Sequence, residues 1–270
     1  MEILIYLIIG ACAGFTAGLF GVGGGLIIVP LLYAVFLQQG YAPQYIMHMA
    51  LGTSLATIIV TSISSVRAHH KKGAVLWQVV KNLAPGLVIG AFLGAAIADV
   101  LPSHILQFII GLFALWVATK MLFARAIQVD TQRQLPSNMS QAVAGGGIGI
   151  ASAIFGIGGG SLTVPYLNKH GIIMQQAVAT SAACGFPIAV AGAIGFMVFG
   201  ATLAAPISGA IGYVHIYAFL GISSMSFVMA KLGAKLAHQL SAQRLKQCFA
   251  VLLICVGLFF LVKSMQWYLS

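Results

Sequence analysis

Apolar residues run along this chain in stretches of about 20, the length a helix needs to cross a bilayer at about 1.5 Å per residue. The stretches are continuous rather than alternating, so they predict helices and not the strands of a barrel. In the first half they cover residues 3–20, 26–37, 44–66, 76–98 and 103–124; in the second, 141–155, 161–168, 172–199, 213–237 and 242–266. The opening piece of each half is interrupted by a glycine cluster, and the run after each interruption is too short to span. The one polar stretch, residues 125–140, lies between the halves.

The halves are copies of each other. Residues 19–30 read LFGVGGGLIIVP and residues 154–165 read IFGIGGGSLTVP, a displacement of 135 positions with seven of twelve residues identical. Leu51-Gly52-Thr53-Ser54 is echoed by Val178-Ala179-Thr180-Ser181, and Leu93-Gly94-Ala95 by Leu232-Gly233-Ala234. The order is kept while the offset drifts with loop length, which marks a duplication. The expected organisation is a first membrane repeat over 1–124, a cytoplasmic linker over 125–140 and a second repeat over 141–270.

Charge separates two topologies. If each broken segment crosses as a kinked helix, there are eight crossings and the 13 basic residues split eight to five. If each is a re-entrant hairpin, six crossings remain and the split becomes twelve to one, with only Lys263 outside. The positive-inside rule favours the hairpins. Three crossings per half then make the halves run in opposite senses, an inverted repeat of the kind secondary transporters use. The expected fold is thus an all-α integral membrane protein of two inverted repeats, each a glycine-broken re-entrant hairpin plus three transmembrane helices. The N-terminus, residues 38–44 and the C-terminus face outward; residues 69–72 and the linker face the cytoplasm of a cell-membrane protein.

Composition narrows the chemistry. The chain is 60% hydrophobic and 6% charged, where a soluble domain carries about 25% charged residues. Its acids are Glu2, Asp99 and Asp130, too few for a buried carboxylate cluster or a cation pathway. The net charge of +10 comes from basic residues scattered between apolar runs, which excludes a nucleic-acid face. Cys12, Cys184, Cys248 and Cys255 form no CxxC pair and read as buried packing thiols. Ile9-Gly10-Ala11-Cys12 faintly resembles a lipoprotein cleavage box, but no Lys or Arg precedes it, so the N-terminus is expected to be retained. No Ser-His-Asp set, metal spacing or carboxylate pair can be assembled, so no enzyme, cofactor or metal is expected.

The glycine clusters carry the candidate chemistry. Gly21, Gly23, Gly24 and Gly25, and Gly156, Gly158, Gly159 and Gly160, break their runs near mid-membrane at a cost of about 1 kcal/mol each relative to Ala. A helix restarting after such a break presents unpaired N–H groups and the positive end of its dipole, and no side chain blocks a ligand's approach. That makes an anion cradle without a buried cation. The alternative is that the glycines let membrane helices pack closely. Ser161 adds a hydroxyl after the second break, where the first half has Leu26. Pro30 and Pro165 are expected to distort or end the short arms. Thr53-Ser54 and Thr180-Ser181, on the next helix of each half, either line the same cavity or bond their own backbone. His48, His104 and His215 divide between interfacial anchoring and proton relay.

With its paired F-G-[VI]-G-G-G…V-P motifs, the Thr-Ser pairs and the GYVHIYAFLGISS segment, the chain resembles the sulfite exporter TauE/SafE family over essentially its whole length. The resemblance implies transport of small sulfur-containing or organic anions such as sulfite, thiosulfate or sulfonates. It places the substrate on the two glycine tips and the Thr-Ser pairs. The membrane segments here carry almost no charge, so backbone donors would bear most of the load. Alternating access is the expected mechanism, with an anion channel or a non-transporting membrane scaffold as alternatives. The expected partners are a small anionic substrate and membrane lipids, and homo-oligomerisation stays open.

Overall fold

The computed structural model of the chain describes residues 2–20, 24–123, 135–201, 207–237 and 242–269. It is all-α apart from one short ribbon. The first half contains α1 (Glu2–Phe20), α2 (Gly25–Gln38), α3 (Pro43–Lys71), α4 (Trp77–Val100) and α5 (Ser103–Phe123). The second contains α6 (Asn138–Phe155), α7 (Gly160–Lys169), α8 (Met174–Gly200), α9 (Ile216–Ala237) and α10 (Ala242–Leu269). Among the described residues, α3, α4, α5, α8 and residues 247–266 of α10 are long and apolar enough to cross a membrane. At about 1.5 Å per residue, α2 rises about 21 Å and α7 about 15 Å, short of a hydrocarbon core of about 30 Å.

The helices follow the apolar runs, with their ends set by local chemistry. Ser137 caps α6, its hydroxyl accepting from the Ser140 amide at 3.3 Å, so the helix begins inside the polar stretch. Pro30 and Pro165 lie within α2 and α7, which run on past them to Gln38 and Lys169. The expected break does not occur; the cost is confined to the carbonyls of Leu26 and Ser161, which lose their α-helical amide partners. Before α9 the chain forms an antiparallel ribbon, β1 (Ala210–Ile211) with β2 (Val214–His215), where a helix from 213 was expected. Gly209 and Gly212 both adopt positive φ there, 72° and 57°, a turn geometry that no helix accommodates.

The path of the chain is read from its tertiary hydrogen bonds. The Tyr6 hydroxyl donates to Gln39 Oε1 at 2.9 Å, so α2 returns to the level at which α1 began. At this same end, His48 Nε2 lies 3.0 and 3.1 Å from the carbonyls of Ala98 and Leu101, and Tyr213 donates to Asp99 at 2.9 Å. The other end holds the start of α4, where the Leu76 amide donates to Thr180 of α8 at 3.1 Å. Asn82 there donates to Asn138, the first residue of α6, at 2.9 Å. The starts of α6 and α8 therefore lie at one end, and α7 brings the chain back to the end that α6 left.

Helices from the two halves interlock. α1 packs on α9 while α6 packs on α4; α3 crosses α8, and α5 pairs with α10. The first two interfaces are built on glycines at every fourth position. A side chain on Gly10 or Gly14 would lie 2.6 Å from the Ile222 carbonyl oxygen or 2.5 Å from Ser226 Cα. Gly86 and Gly90 meet the backbone of α6 just as tightly, and the Ser226 hydroxyl donates to the Gly10 carbonyl at 2.9 Å. Small residues of this kind let membrane helices approach to backbone contact. The core lies around α3, whose residues 46–58 are almost all buried. The outer faces carry large apolar side chains such as Phe92, Leu93, Trp116 and Leu258, which suit lipid rather than water. The cysteines divide the same way. Cys184 is buried, but Cys12, Cys248 and Cys255 are exposed, because an apolar helix offers lipid-facing positions as well as core ones.

Candidate functional site

Two helix starts dominate the middle of the molecule. Gly24 precedes α2 at φ 78°, ψ −16°, and Gly159 precedes α7 at φ 77°, ψ −13°. Both are left-handed conformations that any L side chain would strain. The Gly24 carbonyl accepts the amides of Ile27 and Ile28, both at 3.0 Å, and the Gly159 carbonyl accepts those of Leu162 and Thr163 at 3.1 and 2.7 Å. The preceding amides, Gly25 and Leu26 in one and Gly160 and Ser161 in the other, come too early in their helices to have a carbonyl partner there. Neither helix start has a side-chain cap. The ends of two dipoles are thus left uncapped.

The start of α2 meets the second break. A side chain on Gly25 would collide with the Gly156 carbonyl oxygen, and would lie 3.0 Å from Ile157 Cα. Ile58 of α3 lies alongside both, with side-chain carbons 3.1 and 3.0 Å from where side chains on Gly25 and Gly158 would begin. From α8, Gly185 approaches so closely that a side chain there would be 2.6 Å from the Gly158 carbonyl oxygen. Gly156, at φ 64°, ends α6, and the Ile157 amide turns back to the Ser152 carbonyl at 2.9 Å. The sequence-predicted glycines Gly24, Gly25, Gly156, Gly158 and Gly159 are therefore buried in one place, with Gly160 and Ser161 half-buried at its edge. Gly21 and Gly23 lie outside the described residues. The side chains that meet these glycines, among them Val29, Leu51, Ile58 and Ile188, are uncharged. An anion here would rely on backbone donors and hydroxyls.

The Thr-Ser pairs are buried beside the glycines or at the ends of the molecule. Ser54 donates to the Gly156 carbonyl at 2.9 Å and so ties the second break to α3. Thr53 accepts the amide of His215, just before α9, at 2.9 Å. Thr180 does the same for Leu76, just before α4. Each threonine thus fastens the entry to the fourth long element of the opposite half. Ser181 bonds the Val178 carbonyl of its own helix at 3.1 Å.

Two residues that the sequence did not single out stand beside Gly159. Ser152 and Thr163 are fully buried, and neither hydroxyl has a hydrogen-bond partner. A side chain on Gly159 would begin 3.4 Å from Thr163 Oγ1 and 3.6 Å from Ser152 Oγ. In the first half the positions 135 residues earlier are Ala17 and Ile28, whose carbons lie 3.3 and 3.6 Å from the corresponding point on Gly24. Laying the halves over each other residue by residue would have exposed this pair, since both differences are carbon exchanged for hydroxyl.

Known proteins match nearly the whole chain. The profile described as Sulfite exporter TauE/SafE matches residues 6–260. A "Probable membrane transporter protein" of Haemophilus influenzae is 39% identical over 257 residues, covering 95% of this chain and 97% of its own. "Probable membrane transporter protein MJ0441" of Methanocaldococcus jannaschii is 28% identical, covering 96% and 95%. "Probable membrane transporter protein YunE" of Bacillus subtilis is 28% identical, covering 95% and 96%. No solved structure matches. A duplicated glycine break embedded in long apolar helices, matched by this profile from the first helix to the last, makes the chain a member of the sulfite exporter TauE/SafE family of membrane transporters.

Proposed function

We propose that this protein carries a small anion, sulfur-containing or organic, across the cell membrane by alternating access, holding it between the two glycine breaks. One observation carries the reading: each half has an uncapped helix start of the same left-handed geometry, and the first is packed against the end of α6, within the same glycine break that leads into the second. Free amides and two dipole ends attract negative charge, and in a low-dielectric interior that attraction is strong. Among the described residues, the side chains nearest the breaks are uncharged, which suits a ligand that must leave again.

In this reading the halves are inverted. α1–α2 and α6–α7 are re-entrant hairpins opening to opposite sides, and α3, α4, α5, α8, α9 and α10 are six crossings. The Tyr6–Gln39 bond at one end and the Asn82–Asn138 and Leu76–Thr180 bonds at the other support it. So does the exchange of partners, α1 with α9 and α6 with α4. The N- and C-termini then face outward and the linker faces the cytoplasm. Ser54, Thr53 and Thr180 hold the breaks and the loops against the helices that move, and Ser161 and the glycines face the ligand.

Reconstitution of the purified chain into liposomes tests the reading, with flux measured for sulfite, thiosulfate, taurine, sulfoacetate and acetate. Saturable uptake of at least one is expected, competed by excess of the same anion. Folded protein that moves none of them removes the proposal, and unsaturable flux converts the transporter to a channel.

A further inference from the structure

The two breaks share a backbone geometry but not a chemical lining, and we propose that the second break alone seats the ligand's oxyanion end, with Ser152 and Thr163 as its side-chain donors. This rests on the anion-transport reading above and adds to it which half grips the charge. Both hydroxyls are completely buried and unpartnered, one in the last turn of α6 and one in the first turn of α7. They approach Gly159 from two sides, at 3.4 and 3.6 Å from the position a side chain would take. On a third side Ile188 Cδ1 of α8 lies 2.5 Å from that position and shields the spot. Native chains leave few buried hydroxyls unpaired, because each opposes folding. Keeping two of them at one glycine indicates a use that the fold itself does not supply.

The neighbours decide what that use is. The hydroxyls sit beside the uncapped amides of Gly160 and Ser161, at the positive end of α7. Amides only donate, and a hydroxyl placed next to them completes a donor set for a group that only accepts, which is what sulfite, sulfonate and carboxylate oxygens are. A cation would face the wrong end of the dipole. Around Gly24 the same places are filled by the methyl of Ala17 and the side chain of Ile28, so the first break offers amides without hydroxyls. The duplicated halves have thereby taken unequal shares of the ligand.

The test uses the full chain in liposomes with the same panel of anions. Ser152→Ala and Thr163→Val remove one hydroxyl each at nearly constant volume; Thr163→Ser keeps it. Each loss is expected to raise the half-saturation concentration about tenfold, the pair more, while Thr163→Ser, which keeps the donor, is expected to raise it less than Thr163→Val. Thermal unfolding of the same variants is read alongside. If the hydroxyls are merely unpaired structural groups, Ser152→Ala and Thr163→Val will raise the melting temperature and leave half-saturation untouched, which overturns the proposal while wild-type transport keeps the broader reading intact. Wild-type protein that is folded but moves no member of the panel defeats the broader reading, and this one with it.

Discussion

Replacing Gly25 by Ala puts a methyl group against the Gly156 carbonyl oxygen, and since that oxygen is backbone, the contact is relieved only by moving the start of α2 away from the end of α6. Overpacking of this kind costs about 1–3 kcal/mol, equivalent to roughly five- to 150-fold in an equilibrium constant. Gly25→Ala should therefore lose anion uptake by that order. Gly40 is the control: its φ of 78° makes Gly40→Ala cost about 1–2 kcal/mol in strain, but nothing lies within 4 Å, so uptake should be unchanged. Uptake and thermal unfolding measured together on both variants separate the effects. Ser54→Ala makes a second case. It deprives the buried Gly156 carbonyl of its donor, which should lower stability by about 1–3 kcal/mol in detergent, and an unaltered melting temperature would show that the bond holds nothing. The glycines of this site were legible in the sequence because they recur at a fixed offset. Ser152 and Thr163 show in the sequence only as departures from the repeat, and since a hydroxyl in an apolar helix usually satisfies itself on its own backbone, the fold is needed to reveal that these two do not.

α1 and α6 are held by helices of the opposite half through glycine contacts, so bulk at those contacts should act at a distance from the glycine breaks. Gly14→Leu on α1 and Gly90→Leu on α4 push against the backbone of α9 and α6. Both should reduce the yield of monodisperse protein by size-exclusion chromatography. Gly147→Leu, on the open face of α6 with nothing within 4 Å, should not. Equal loss in all three variants would mean that leucine is simply not tolerated in these helices. Helix existence followed from apolar runs, because lipid requires every backbone group to be paired within its own segment. Helix ends followed less well. The start of α9 shifts past Tyr213 and His215 because both are engaged elsewhere, Tyr213 on Asp99 and the His215 amide on Thr53. Burial, and after it the Asp99 carboxylate, pushes the Tyr213 phenol up, which keeps it a proton donor to Asp99. Tertiary bonds of this sort leave no periodic trace in a sequence.

For the whole molecule, the basic residues and the hydrogen bonds at the two ends both support the inverted arrangement proposed above. Single cysteines at Gly40 and Lys71, on opposite ends of α3, should label from opposite sides of the membrane with an impermeant thiol reagent, after the native cysteines are replaced. Labelling of both from one side would end the inverted arrangement. The partner exchange between halves also bears on how such a chain is made. When ribosomal synthesis has delivered only α1 to α5, the backbone-hugging faces of Gly10 and Gly14 have no α9 to rest on and must wait in lipid. α4 waits likewise for α6, though for a shorter time. Neither duplicate is then a self-sufficient unit: expressed alone, each should be degraded, and co-expressed as two polypeptides they should rescue one another. Each copy is then expected to last only in the other's company.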